Sequence, residues 1–180
     1  VQIHGGMGLV EEPGAAQHLR DARLAPIYEG TNGIQAIDLV TRKLPLSGGE
    51  HIRGLIAELS AIAEDARAAG PDLDEAGNRL GRAVGNLSEA VDWMLQALGE
   101  GRQSEALAGA TPFLRLMGIA YGGAMLVKGA LASRGEQSPA AARRLLLARY
   151  FAAAHLAETA ALKEQVIAAA DTVLAYDPVA

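Results

Sequence analysis

Residues 80–98 read LGRAVGNLSEAVDWMLQAL, and their spacing decides the fold. Leu80, Val84, Leu87, Val91, Met94 and Leu98 recur by fours and threes, the pattern of a helix that turns one apolar seam toward partner helices. Trp93 falls off that seam, which leaves it for another helix or an interface. The helix is expected to start near Asp72 or Asp74, and Gly99-Glu100-Gly101 breaks the pattern.

On the N-terminal side, Ile52, Leu55, Ile56, Leu59, Ile62 and Ala66 form a second stripe that ends at Gly70-Pro71. Ser47 and Glu50 before it have the spacing of a capping box. On the C-terminal side a third helix is expected from about Ser104 to Ser133. Its Gly118, Ala120, Gly122 and Ala124 let neighbouring helices approach closely, an advantage that must offset about 1 kcal/mol per glycine. Ser138-Pro139 signals a further helix start, and a last helix spans roughly Pro139 to Ala175, with Leu146, Tyr150, Leu156, Val166, Ile167 and Val173 among its apolar positions. Four helices joined by short breaks predict an antiparallel bundle over residues 46–180.

Half of the 180 residues are hydrophobic and only 4% are aromatic, which suits helix packed on helix and an all-α fold. The net charge is −5 with acids and bases interspersed, so no basic stripe for nucleic acid is present. Cysteine is absent, which excludes disulfides, thiolate metal sites and a cysteine nucleophile, and is compatible with the expected location, a reducing cytoplasm. The most apolar run, Leu116 to Val127, is shorter than the roughly 18 residues of a membrane span and reads as a buried helix. His155 and Glu158 have metal-ligand chemistry, but no second such pair lies on the other helices, so no metal is expected.

Ahead of the bundle, Ala15 to Leu24 reads as a short helix ended by Pro26, with Pro13 in its first turn after Glu11 and Glu12. Its Arg20, Asp21 and Arg23 form a solvated or salt-bridged face that props the following loop. Ile34, Ile37, Val40 and Leu44 then recur at helical spacing until Pro45, and Pro45 to Gly49 makes a linker. Between these helices, Tyr28-Glu29-Gly30-Thr31-Asn32-Gly33-Ile34-Gln35 puts a carboxylate on a turn at a helix start, with Thr31 or Asn32 as the cap. Glu29 has no cation within four residues; such a Glu is either structural or a catalytic group. Gly5-Gly6-Met7-Gly8 reads either as a phosphate-cradling loop or as a tight turn, and no βαβ pattern surrounds it.

Val1-Gln2-Ile3-His4-Gly5-Gly6-Met7-Gly8, then Leu19-Arg20-Asp21-Ala22-Arg23, then Ile27-Tyr28-Glu29-Gly30-Thr31, then Ile34-Gln35 follow in this order. That succession resembles the end of the catalytic region of flavin-dependent acyl-CoA dehydrogenases over roughly residues 1–44. The bundle resembles, by position and pattern, the extra C-terminal helical domain of one bacterial branch of that family. The resemblance implies two domains: residues 1–45 end the catalytic helical domain, and residues 46–180 form a helical-bundle extension. With Val1 falling inside a motif, the chain is expected to be the C-terminal piece of a longer protein.

In that family an acyl-CoA thioester is desaturated between its α and β carbons, with hydride passing to FAD. By resemblance Glu29 is the base for the α-proton, and its backbone N–H is a donor to the thioester oxygen. Gly30 lets the acyl chain pass close to the backbone. Thr31 and Gly33 lie against the cofactor, and Gln2, Gly5 and Gly6 reach the FAD of a neighbouring subunit, which implies a homo-oligomer. Electron-transfer flavoprotein is the implied electron acceptor. A complete site also needs a helical region and a β domain that these residues lack, so the chain alone is expected to be inactive. Two alternatives stay open: a non-catalytic helical interaction module, and an acyl-CoA oxidase on the same fold.

Overall fold

A computed structural model describes residues 1–168 and 170–176. Every regular element among them is helical, as composition and periodicity require. The chain forms two compact units, Val1–Ala36 and Ile37–Ala180.

The first unit opens with a 3₁₀ run over Gln2–Leu9, bent at Gly5 (φ 59°, ψ −143°). Gly8 is buried with Val1's carbonyl oxygen where a Cβ would sit, so the chain's start folds back on this glycine. Helix α1 (Ala15–Leu24) has the predicted bounds, but Pro13 is not in its first turn. The N-cap is Gly14, at φ 80°, and Pro13 belongs to the turn before it. Arg20 grips the Glu11 carboxylate with both terminal nitrogens (2.9 and 2.7 Å), so this salt bridge ties α1 to the preceding turn and makes no bond to the Glu29 loop. The pair holds the Glu11 carboxyl below the usual carboxylate range, chiefly through the hydrogen bond from Arg20. Helix α2 (Asn32–Asp38) begins in this unit.

In the second unit, α2 runs into a π-helical turn over Leu39–Lys43, where the Leu44 amide reaches back to the Leu39 carbonyl (2.8 Å). Val40 and Leu44 are buried. Lys43 and Arg42 both hold Asp38 (3.1 and 2.8 Å), and its carboxyl lies below its usual range, chiefly through Lys43. The predicted capping box is absent. Ser47, Gly48 and Gly49 are three successive left-handed residues (φ 51°, 66° and 87°), and the N-cap of α3 (Glu50–Ala68) is Gly49. A capping serine needs extended backbone, which Ser47 does not have, and its hydroxyl lies instead 3.3 Å from His51 Nε2.

The bundle consists of α3, α4 (Asp74–Gly99), α6 (Ala110–Ala132) and a fourth rod made of α7 (Pro139–Ala154) and α8 (Glu158–Ala168). Consecutive rods run in opposite directions. Gly77 on α4 meets Ala63 and Arg67 of α3, while α8 runs back down α6 from Arg115–Glu158 to Gly109–Val166. The seam follows the prediction from Leu80 to Met94, with Leu80, Val84, Leu87, Val91 and Met94 buried and Ala83, Ala90 and Ala97 widening it, while Leu98 at its end is only partly buried. Trp93 is half-buried, and the Arg102 guanidinium, itself bonded to Glu100 and Glu105, sits 6.0 Å from its ring centre. Ser138 caps α7 as expected, accepting from the Ala141 amide at 3.1 Å with Pro139 in the first turn.

Two predicted long helices are divided. The third splits at Gly109 into α5 (Gln103–Ala108) and α6, and Gly109 lies against the Val166 carbonyl, which would be 2.8 Å from a Cβ. The last breaks between Ala154 and Glu158, where Leu156 turns in against Gly123. It continues as α8 and α9 (Ala170–Leu174), and Ala169, which it was expected to cross, lies outside the described residues. The close approach expected at Gly118 and Gly122 is made by Gly123, whose Cβ would meet Leu156 Cδ2 at 2.6 Å; a Cβ on Gly118 would meet no neighbouring element within 4 Å. Helix α6 is long and apolar enough to cross a membrane by length and composition, yet its Phe113, Leu116, Ala120, Ala124 and Val127 are fully buried against the other rods.

Candidate active site

The turn between α1 and α2 is built by its own backbone. Amides of Ile27 and Tyr28 close the end of α1 on the Leu24 carbonyl (3.0 and 3.1 Å), and the chain then reverses through Glu29 and Gly30. Glu29 adopts φ 59°, a left-handed conformation that non-glycine residues rarely take. Gly30 follows at φ 119°, where a Cβ would come within 3.1 Å of Ile34 Cγ2. Of the two candidate caps, Thr31 acts: its hydroxyl accepts from the Ile34 amide at 3.3 Å. Asn32 and Gly33 then form the first turn of α2.

Glu29, Gly30, Thr31 and Gly33 therefore share one turn, with the Glu29 carboxylate exposed and in no ion pair among the described residues. Gln35 closes the stretch quoted from the sequence, but the sequence assigns it no role. Its Nε2 donates to the Glu29 carbonyl at 2.9 Å, a bond from residue i+6 that no short motif announces.

Gln2, Gly5 and Gly6 lie together on the 3₁₀ run, all exposed. Neither Gly5 nor Gly6 has any atom within 4 Å of the position its Cβ would take, so bare backbone faces open space there. Among the described residues no side-chain hydrogen bond joins this run to the Glu29 turn.

The charged cluster that joins α6 to α8 on the bundle is structural. Glu158 accepts from Arg115 (2.6 Å) and pairs with His155 Nδ1 (3.1 Å), which holds its carboxyl below the usual range, His155 contributing most. No group of three metal-ligating side chains occurs among the described residues. A cleft of about 520 Å³ opens where α6 gives way to α7, but Ser133 there is engaged by Arg144 (2.8 Å) and Arg134 by the Ala69 carbonyl (2.8 Å).

Two family models match, one described as "Acyl-CoA dehydrogenase, C-terminal domain" over residues 1–44 and one as "Acetyl-CoA dehydrogenase C-terminal like" over residues 55–177. The 3-methylmercaptopropionyl-CoA dehydrogenase of Ruegeria pomeroyi is 40% identical over 136 residues, 76% of this chain and 23% of that protein. Human very long-chain specific acyl-CoA dehydrogenase is 40% identical over 85 residues, 47% of this chain and 12% of that protein. Human short-chain specific acyl-CoA dehydrogenase is 57% identical over 37 residues, 21% of this chain and 9% of its own length. The matched stretch thus spans less than a quarter of each of these relatives. By both models and the breadth of the first match, the chain belongs to the acyl-CoA dehydrogenase family.

Proposed function

We propose that the chain is the C-terminal part of a longer FAD-dependent dehydrogenase that desaturates an acyl-CoA thioester between its α and β carbons, with Glu29 as the base. The observation that carries this reading is the Glu29 turn, where an exposed carboxylate without an ion-pair partner sits on backbone held in a strained conformation. Strain of this kind concentrates where a side chain must be aimed. The order of motifs around it and the family membership point the same way.

An α-proton beside a thioester is far too weakly acidic for a glutamate in water, so the carbonyl must be polarised and solvent excluded as the proton moves. Glu29 would serve both needs at one residue, its carboxylate taking the proton and its backbone N–H donating to the thioester oxygen. Gly30, with no side chain, would leave room for the acyl chain. The bare backbone at Gly5 and Gly6 fits a phosphate-bearing dinucleotide, and Gln2, Thr31 and Gly33 would complete this chain's contribution to it. Bound FAD would supply the acceptor for the β-hydrogen and its electron pair. An intersubunit flavin site of this kind makes the functional form a homo-oligomer, with electron-transfer flavoprotein as its electron acceptor in the cytoplasm. Residues 1–45 would close the catalytic domain and residues 46–180 extend it.

In the full-length flavoprotein, Glu29→Gln is expected to keep flavin and acyl-CoA binding while slowing flavin reduction by about 10²–10⁴-fold, the usual effect of losing a general base. Anaerobic stopped-flow bleaching of the flavin by butyryl-CoA or palmitoyl-CoA measures this. Reduction within a few-fold of the parent rate rules Glu29 out as the base.

A further inference from the structure

The covalent chain does not hold Glu29 where it is. On its own account a glutamate leaves the left-handed region, where its Cβ crowds the following carbonyl. The next residue offers no resistance, because Gly30 at φ 119° is a glycine, free to rotate the intervening peptide plane. Something outside these two residues must therefore restrain the Glu29 carbonyl. Thr31 caps the Ile34 amide (3.3 Å), and Ile34 lies under Gly30, but neither bonds to Glu29. Gln35 does: its side-chain amide, rooted on the first full turn of α2, reaches back six residues and donates to the Glu29 carbonyl oxygen at 2.9 Å. The Gln35 residue is half-buried, while the bond it makes lies at the surface.

We propose that Gln35 is a positioning residue that locks Glu29 in its left-handed conformation and so aims the base and its backbone N–H together. Both groups hang on one pair of backbone torsions. Rotation about the Glu29 N–Cα bond carries the Cβ and the carbonyl together relative to the N–H, so a tethered carbonyl fixes the angle between the base and its donor, and releasing it costs their mutual alignment. Gln35 has this role only if Glu29 is the base, as proposed above.

The test uses the full-length, flavin-loaded enzyme with butyryl-CoA or palmitoyl-CoA, whichever the parent reduces with. Gln35→Leu removes the donor at similar size, and Gln35→Asn keeps the amide but is one methylene too short to reach. Either variant is expected to lower the limiting rate of flavin reduction by about 10–100-fold, the effect of a misaimed catalytic group, with acyl-CoA affinity, flavin content and melting temperature close to the parent's. In a Glu29→Gln background the same substitution is expected to add no further loss, because its effect runs through Glu29. A Gln35 variant that reduces its flavin at the parent rate while Glu29→Gln does not overturns the positioning role and leaves the base in place. A loss of rate that accompanies loss of flavin or stability, or that persists in the Glu29→Gln background, also overturns it, since Gln35 would then be structural. Should Glu29→Gln itself reduce normally, the base assignment falls and the role of Gln35 falls with it. If Gln35→Leu fails to fold, Gln35→Asn carries each of these outcomes.

Discussion

A left-handed residue other than glycine costs about 1–2 kcal/mol, and at Glu29 (φ 59°) that cost is set against nothing but local hydrogen bonds. Glu29→Gly is therefore expected to stabilise the folded chain by about 0.5–1 kcal/mol while removing the carboxylate, so stability and activity move in opposite directions at this residue. Urea unfolding of parent and variant measures the first effect and flavin reduction the second; a destabilised variant would mean that the turn is not strained. The carboxylate on a turn before a helix was legible, because a Glu-Gly-Thr string ahead of an apolar helical period is local chemistry, while the choice of Thr31 over Asn32 as the cap of α2 came only with the fold. The left-handed torsion was not legible. Gly30 and Gly33 absorb the expectation of unusual backbone in any such string, and nothing in residue type says that the strain falls on the Glu between them. The Gln35 bond was hidden for a related reason, since its six-residue reach exists only once Glu29 has turned.

Glycines set how closely the bundle helices pack, and they do so unequally. A Cβ on Gly77 would lie 2.7 Å from the Arg67 amide nitrogen and 2.8 Å from the Ala63 carbonyl oxygen, both backbone atoms that can move only by separating α3 from α4. Gly77→Ala is therefore expected to destabilise the chain by about 1–3 kcal/mol despite alanine's better helix propensity. Gly118→Ala, on an exposed face of α6 where the added Cβ would meet no neighbouring element within 4 Å, is expected to stabilise it by up to about 1 kcal/mol. Denaturant midpoints of the two variants against the parent decide the matter: if both substitutions stabilise, propensity alone governs these positions, and if both destabilise, Gly118 is packed as tightly as Gly77. The seam Leu80 to Met94 and the Ser138–Pro139 start were legible, since period and cap are properties of the string. Helix breaks were not. The run Ala152 to Thr159 contains no glycine or proline, yet it breaks because Leu156 fills the space Gly123 leaves on α6, and Thr159 bonds both the Leu156 carbonyl (2.6 Å) and Asn86 (3.1 Å). Tertiary contacts made that break, and a single helix's sequence does not display them.

At the scale of the whole chain the two units differ in what they bury. Within Val1–Ala36 only Gly8, Ala16 and Ala36 are buried, while Ile3, Leu9, Leu24, Ile27, Tyr28 and Ile34 are at least half exposed. A segment of that size with so small a core does not fold on its own, and a peptide of residues 1–36 is expected to give no cooperative melt. The second unit has the bundle core, and its N-terminal limit is physically informative. Val40 and Leu44 are 0% and 2% exposed, and each contributes about 1.5–3 kcal/mol as an upper estimate if burial in this unit is what holds them. Asp38 adds its bonds to Arg42 and Lys43 in the same segment. A chain beginning at Ile37 should therefore melt cooperatively by circular dichroism. One beginning at Leu46 should also fold, because α3, α4, α6, α7 and α8 are intact, but with a clearly lower denaturant midpoint and an unchanged slope. Equal midpoints would show that Val40 and Leu44 contribute nothing to the bundle. A chain from Ile37 that unfolds without cooperativity would show that the bundle depends on the preceding unit.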